Sequence, residues 1–259
     1  MSSLRPLSIS RSAATRLTDE LKVRSPDEID IELIAAHCNV FVRFRELEHE
    51  AGHLLRTGKT GLIVVEESAR RSEHWRWVVA HELGHFLRHQ AVDQFKMCTE
   101  ANLREWYKTS GNEVEANEFA AELLMPETLF KPLCDRNRPS LKDVEEIAKR
   151  FRTSLTATAI RFVTFAPEPV AVVHSMNGVV DWAKRTRDFA LYIPRGHRLA
   201  STTYAGDLFA GKPVPAGPQT IDGSGWADDE RAADIDLQEH SIMLGSYGAV
   251  LTLLWHTWE

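Results

Sequence analysis

The chain has 259 residues, 43% of them hydrophobic and 26% charged, with a formal net charge of −6. Those values exclude disorder along the whole chain. No run approaches the ~18 consecutive apolar residues of a membrane span, and net negative charge does not suit a protein built mainly to hold nucleic acid. Three scattered cysteines, Cys38, Cys98 and Cys134, argue against a disulfide framework and for a reducing, cytoplasmic setting.

Residues 1–25 are rich in Ser and Arg, with no acid before Asp19. They read as a basic, flexible tail rather than a transit peptide, and they lack the apolar stretch of a secretory signal. Ile29, Leu33, Ile34 and His37 recur at helical spacing behind Pro26-Asp27, a helix-start pair. Val40 to Phe44 alternates like a strand, and Leu62 to Val65 is a second strand bounded by Gly58 and Gly61. Helical runs follow from about Ser72 to His89 and from Asn112 to Leu124, where Met125-Pro126 ends the ladder. Leu141, Val144, Ile147, Ala148 and Phe151 mark one face of a further helix, and Ser154 caps another that ends near Phe165. Ala166-Pro167-Glu168-Pro169 breaks the pattern and is the expected domain boundary.

Beyond it the text is strand-like. Val170–His174 and Val179–Trp182 flank Asn177-Gly178, a strong hairpin signal. Phe189–Ile193 and Ala249–Trp255 also read as strands, and residues 211–225 as a Gly- and Pro-rich loop. Residues 166–259 hold seven basic and twelve acidic side chains, so most of the negative charge is here. Asp228, Asp229, Glu230, Asp234 and Asp236 form an acidic run that reads as a solvated face. Trp182, Trp226, Trp255 and Trp258 are expected to fill a small core.

The chemistry lies in His81-Glu82-Leu83-Gly84-His85. Histidines at i and i+4 share a helix face one turn apart, so both imidazoles can hold one ion. Glu82 between them can take a proton from a water at that ion. Trp77, Val78, Val79, Ala80, Leu83, Phe86 and Leu87 make the helix apolar over much of its girth, so the polar triplet is expected to be buried and to need a partner. A third ligand should come from another element. The next helix offers Glu113, Glu115, Glu118 and Glu122, and spacing does not choose among them. Cys98 could supply an inhibitory thiolate, and Tyr107 or His89 a hydrogen bond to a developing oxyanion, although each has an ordinary packing role open to it. His174, His197 and His240 lie in the far module, out of reach except through folding.

His81-Glu-Leu-Gly-His85, followed by Glu113-Val-Glu-Ala-Asn117 and on to Met125-Pro126, resembles the ImmA/IrrE family of zinc metallopeptidases. Arg76-Trp77 is similar to the Arg-Phe usual before the first histidine there, and the resemblance spans roughly residues 27–165. It implies His81, His85 and Glu113 as metal ligands, with Glu115 the second choice for the third, and Glu82 as the catalytic carboxylate. The implied metal is Zn2+, with Mn2+ also accommodated by such ligands. The implied substrate is a helix-turn-helix repressor, cut site-specifically to relieve repression of a stress-response, mobile-element or toxin–antitoxin operon. Residues 140–165 resemble half of a helix-turn-helix, with Arg161 and Ser154 as the family usually has them. DNA binding is the less favoured use of that segment, and packing against the peptidase the more favoured. Some relatives carry a GAF-like sensor domain where residues 167–259 lie.

The expected fold class is α+β. A mainly helical zincin-like metallopeptidase domain with a small sheet occupies 26–138 and a helix-turn-helix-like segment packed on it 139–166. A C-terminal β-rich α+β module occupies 167–259, for sensing or substrate binding. The expected protein is a zinc endopeptidase with a protein substrate and no membrane partner. The alternative is a non-catalytic regulator whose zinc is structural and which binds DNA or a repressor.

Overall fold

In a computed structural model of the chain, residues 9–48, 50–89, 96–98, 111–136, 138–245 and 248–256 are described, those at 96–98 by their backbone alone. Among them, no helix is long and apolar enough to cross a membrane. The fold is α+β and divides into two compact units. The first comprises residues 1–130 and 149–154, the second residues 131–148 and 155–259.

The first unit begins with helix α1 (Ile9–Glu20), within the segment expected to be a flexible tail. The correction has a simple cause. The buried face of α1 consists of Ser10, Ala14, Leu17 and Thr18, and Leu17 alone among small or polar neighbours does not register as an apolar stripe. It is held instead by ion pairs: Arg11 reaches Glu122 at 3.2 Å and Glu127 at 2.9 Å. Helix α2 (Ile31–His37) starts at Asp30, whose carboxylate accepts from the Glu32 and Leu33 amides at 3.1 Å. A turn of 3-10 helix, Pro26–Glu28, precedes it.

Strands β1 (Val40–Arg45), β2 (Gly52–Thr57), β3 (Thr60–Glu66) and β4 (Lys96–Cys98) form a sheet in the order β1-β3-β2-β4. β1 runs parallel to β3, and the other pairs are antiparallel. Helix α3 (His74–Arg88) and helix α4 (Asn112–Leu124) follow, then the short α5 (Glu127–Phe130) after Pro126. Gly84 lets α3 and α4 approach closely. A Cβ there would stand 3.2 Å from the Ala116 Cα and the Phe119 Cβ. Buried Arg76 donates to the Phe151 and Arg152 carbonyls at 2.8 Å each and to the Ile29 carbonyl at 2.6 Å, which ties residues 149–154 to this unit. Burial, with Arg152 nearby, pushes its pKa down to about 10.

In the second unit, strands β5 (Val170–Met176), β6 (Val179–Arg185), β7 (Gln219–Asp222), β8 (Asp236–Leu244) and β9 (Ala249–His256) form an antiparallel sheet in the order β6-β5-β9-β8-β7. Asn177 and Gly178 turn the β5–β6 hairpin with φ of 52° and 74°, the positive pair that a two-residue turn of this kind requires. Helix α6 (Leu141–Phe151) crosses the division between the units; α7 (Leu155–Phe165) and α8 (Tyr204–Phe209) belong to the second. Residues 149–154 fall with the first unit, and 141–148 and 155–165 with the second. Leu141 at the start of α6 donates its amide to His240 on β8 at 3.0 Å, and Lys184 of β6 reaches Thr164 of α7 at 2.8 Å. Arg161 is buried over the Phe165 ring rather than offered to a phosphate backbone.

Residues 189–193 keep their alternation but form no strand. Phe189, Leu191 and Ile193 enter the core as irregular extended chain, while Tyr192 faces out. The Gly- and Pro-rich stretch contains β7, and the acidic run leads into β8. Trp182, Trp226 and Trp255 are buried, and Trp258 lies outside the described residues.

Candidate metal centre

Helix α3 is buried from Val78 to Phe86, so His81, Glu82 and His85 are 0%, 2% and 5% exposed. Nε2 of His81 and Nε2 of His85 stand 3.1 Å apart. From α4, the Glu113 carboxylate approaches both, 3.3 Å from His81 and 3.4 Å from His85. Among the described residues, these three form the one group of His, Cys, Asp or Glu side chains placed to share an ion.

The donor set fits a metal. Three ligand atoms about 2.0–2.2 Å from one ion in tetrahedral array stand about 3.3–3.6 Å from each other, close to the spacing found here. The tautomers fit as well. Nδ1 of His81 lies 2.9 Å from Oδ1 of Asn117, so the ring proton sits there and Nε2 presents its lone pair. Asn117 is one turn along α4 from Glu113, so one helix supplies both a carboxylate and the group that aims a histidine. The i,i+4 spacing of Glu113 and Asn117 was the signal in the sequence, but it assigned Asn117 no role.

Glu115 faces elsewhere. Its Oε2 lies 3.4 Å from Nε2 of His89 and accepts from Ser10 Oγ at 3.3 Å. Glu122 is bound up with Arg11 and the Glu127 amide. His89 has its Nδ1 3.0 Å from Nδ1 of His85. Tyr107 and the Cys98 thiol lie outside the described residues. Burial pushes the Cys38 thiol up to about 11 and the Cys134 thiol up to about 12, so neither offers a thiolate near neutral pH. The three histidines singled out in the far module have partners within the second unit. His174 stacks on Trp182 and lies 3.4 Å from Asp181, His197 meets the Gly225 carbonyl at 3.2 Å, and His240 accepts from Leu141.

A buried helical histidine pair faced by a glutamate from a second helix is the arrangement of a metallopeptidase. Residues 35–163 match the family model Peptidase_M78, the IrrE N-terminal-like domain. The chain is 30% identical over 122 residues to uncharacterized immunity region protein 2 of Bacillus phage phi105, an alignment covering 47% of this chain and 72% of the phage protein. The chain belongs to this ImmA/IrrE peptidase family. In fold it is similar to a Mycobacterium tuberculosis transcriptional regulator, at 14% identity and a TM-score of 0.61, over 96% of this chain and 76% of the other.

Proposed function

We propose that the protein is a zinc-dependent endopeptidase that cuts a helix-turn-helix repressor at a specific site. The observation that carries this reading is the convergence of His81, His85 and Glu113 within 3.1–3.4 Å, with Glu82 buried beside them on α3. His81, His85 and Glu113 would hold the ion. When bound, zinc supplies Lewis acidity, which polarises a scissile carbonyl and lowers the pKa of water toward ~7. Glu82 accepts the proton of the attacking water and returns it to the leaving amine. Asn117 keeps the His81 lone pair aimed inward. Mn2+ suits the same donor set.

The immunity-region name of the phage relative and the regulator title of the structural neighbour support a regulatory substrate; that it belongs to a stress-response, mobile-element or toxin–antitoxin operon rests on the family resemblance alone. Free Cys38 and Cys134 are in keeping with the cytoplasm. We place the peptidase domain over residues 26–138 and a sensing or substrate-binding role on residues 167–259. The experiment is incubation of zinc- or manganese-loaded protein with helix-turn-helix repressors from the same genome, read by mass spectrometry, with Glu82→Gln as control. A discrete cut by the wild type alone is expected. A stable complex without cleavage by either version would overturn the peptidase reading in favour of a binding protein with a structural zinc.

A further inference from the structure

His81 is aimed by Asn117. Against the corresponding nitrogen of His85 stands His89, four residues on. We propose that His89 is a positioning residue for His85, braced by Glu115 and, through it, by Ser10 of α1. The inference rests on the reading of His85 as a metal ligand.

To ligate through Nε2, His85 must carry its single ring proton on Nδ1. That nitrogen is 3.0 Å from Nδ1 of His89. Two Nδ1 atoms at this distance share one proton, so His85 donates and His89 accepts. The proton of His89 then sits on its Nε2, which stands 3.4 Å from Oε2 of Glu115. Ser10 Oγ donates to that same oxygen at 3.3 Å, and Arg88 Nη2 lies 3.8 Å from it. Ser10, Glu115, His89 and His85 thus stand in succession, with the Glu115 carboxylate beside His89 as a charged neighbour rather than a hydrogen-bond partner. The His89 side chain is 8% exposed. α1 lies outside the matched residues 35–163, so the N-terminal helix joins the support of the site.

The test measures Zn2+ affinity of the full chain by competition with a chromogenic chelator, and the visible spectrum of the Co2+-loaded protein. His89→Phe, which keeps a ring but no acceptor, is expected to bind Zn2+ about 10–100-fold more weakly and to shift the Co2+ bands. His89→Asn, whose Oδ1 stands where Nδ1 stood, is expected to stay within about threefold of wild type. His85→Ala examines the assignment beneath. Zn2+ affinity equal to wild type in that variant would remove the ligand reading and the proposal with it. Loss of Zn2+ by His85→Ala, with wild-type affinity and spectrum in His89→Phe, would overturn the proposal alone. Thermal melting of the metal-free proteins shows whether His89→Phe folds. If it does not, Glu115→Leu, at a side chain 43% exposed, decides instead. A several-fold loss of affinity upholds the brace, and unchanged affinity overturns it.

Discussion

Glu239 in the second unit and Glu113 in the first are both carboxylates drawn toward a protein interior, and their surroundings are opposite in kind. Glu239, 1% exposed, is met by donors: the Ala205 amide at 2.7 Å, Trp226 Nε1 at 3.1 Å and Ser241 Oγ at 2.7 Å, with Ser241 in turn 2.7 Å from Thr252. Glu113 is met by two imidazole nitrogens, one of which has its proton committed on the far side of the ring. A buried acceptor surrounded by donors is finished structure. Acceptors that converge on one another call for a cation. Burial alone therefore does not mark a site; the sign of what faces the buried group does.

The strongest way to break that contrast is Glu82→Gln. On the peptidase reading it lowers the cleavage rate about 10²–10⁴-fold while metal content, read by elemental analysis, stays at wild type. Next comes Arg76→Ala, which strips donors from three carbonyls in the first unit. It should cost about 3–5 kcal/mol in urea melts, the range for a broken buried charge contact. Gly84→Val wedges α3 from α4 at Ala116 and Phe119. A loss of about 1–3 kcal/mol is expected, together with weaker Zn2+ binding in chelator competition, since Glu113 and His81 ride on the two helices being parted.

Two smaller effects sharpen the comparison from the other side. Burial raises the Glu239 carboxyl above the ordinary carboxylate value, outweighing the hydrogen bonds that lower it. The folded state thus binds this proton more readily than the unfolded state. Its contribution to stability is complete below the unfolded value and is lost as pH rises through the folded one. Urea melts from about pH 4 upward should show that decline in wild type and not in Glu239→Gln, with Zn2+ affinity of the variant unchanged at neutral pH. Smallest of all, Gly178→Ala places a Cβ at φ of 74° in the β5–β6 turn. It should cost about 1 kcal/mol in thermal melts and leave Zn2+ binding untouched.

Legibility in the sequence followed the strength of local signals. The α4 helix was expected at Asn112–Leu124, where it lies, because Pro126 stops it and its apolar face is continuous. The hairpin at Asn177-Gly178 was legible because few residues tolerate two positive φ angles in succession. α1 was missed because its buried face is Ser, Ala and Thr with a single Leu and its anchors are ion pairs to residues more than a hundred positions away. Phe189–Ile193 misled for the converse reason. Alternation reports which side chains are buried, and that was right, but a ladder also needs a neighbouring strand.

For the site, the sequence by itself determined that His81 and His85 share a face with Glu82 between them, since helical periodicity alone sets that geometry. Through its resemblance to a family it also pointed to Glu113. Only the tertiary structure decided which glutamate stands against the histidine pair and which is turned to His89. That choice depends on how α3 and α4 are rotated where they cross at Gly84, and on Ser10 drawing Glu115 toward α1. Such contacts between distant segments leave no local period to read.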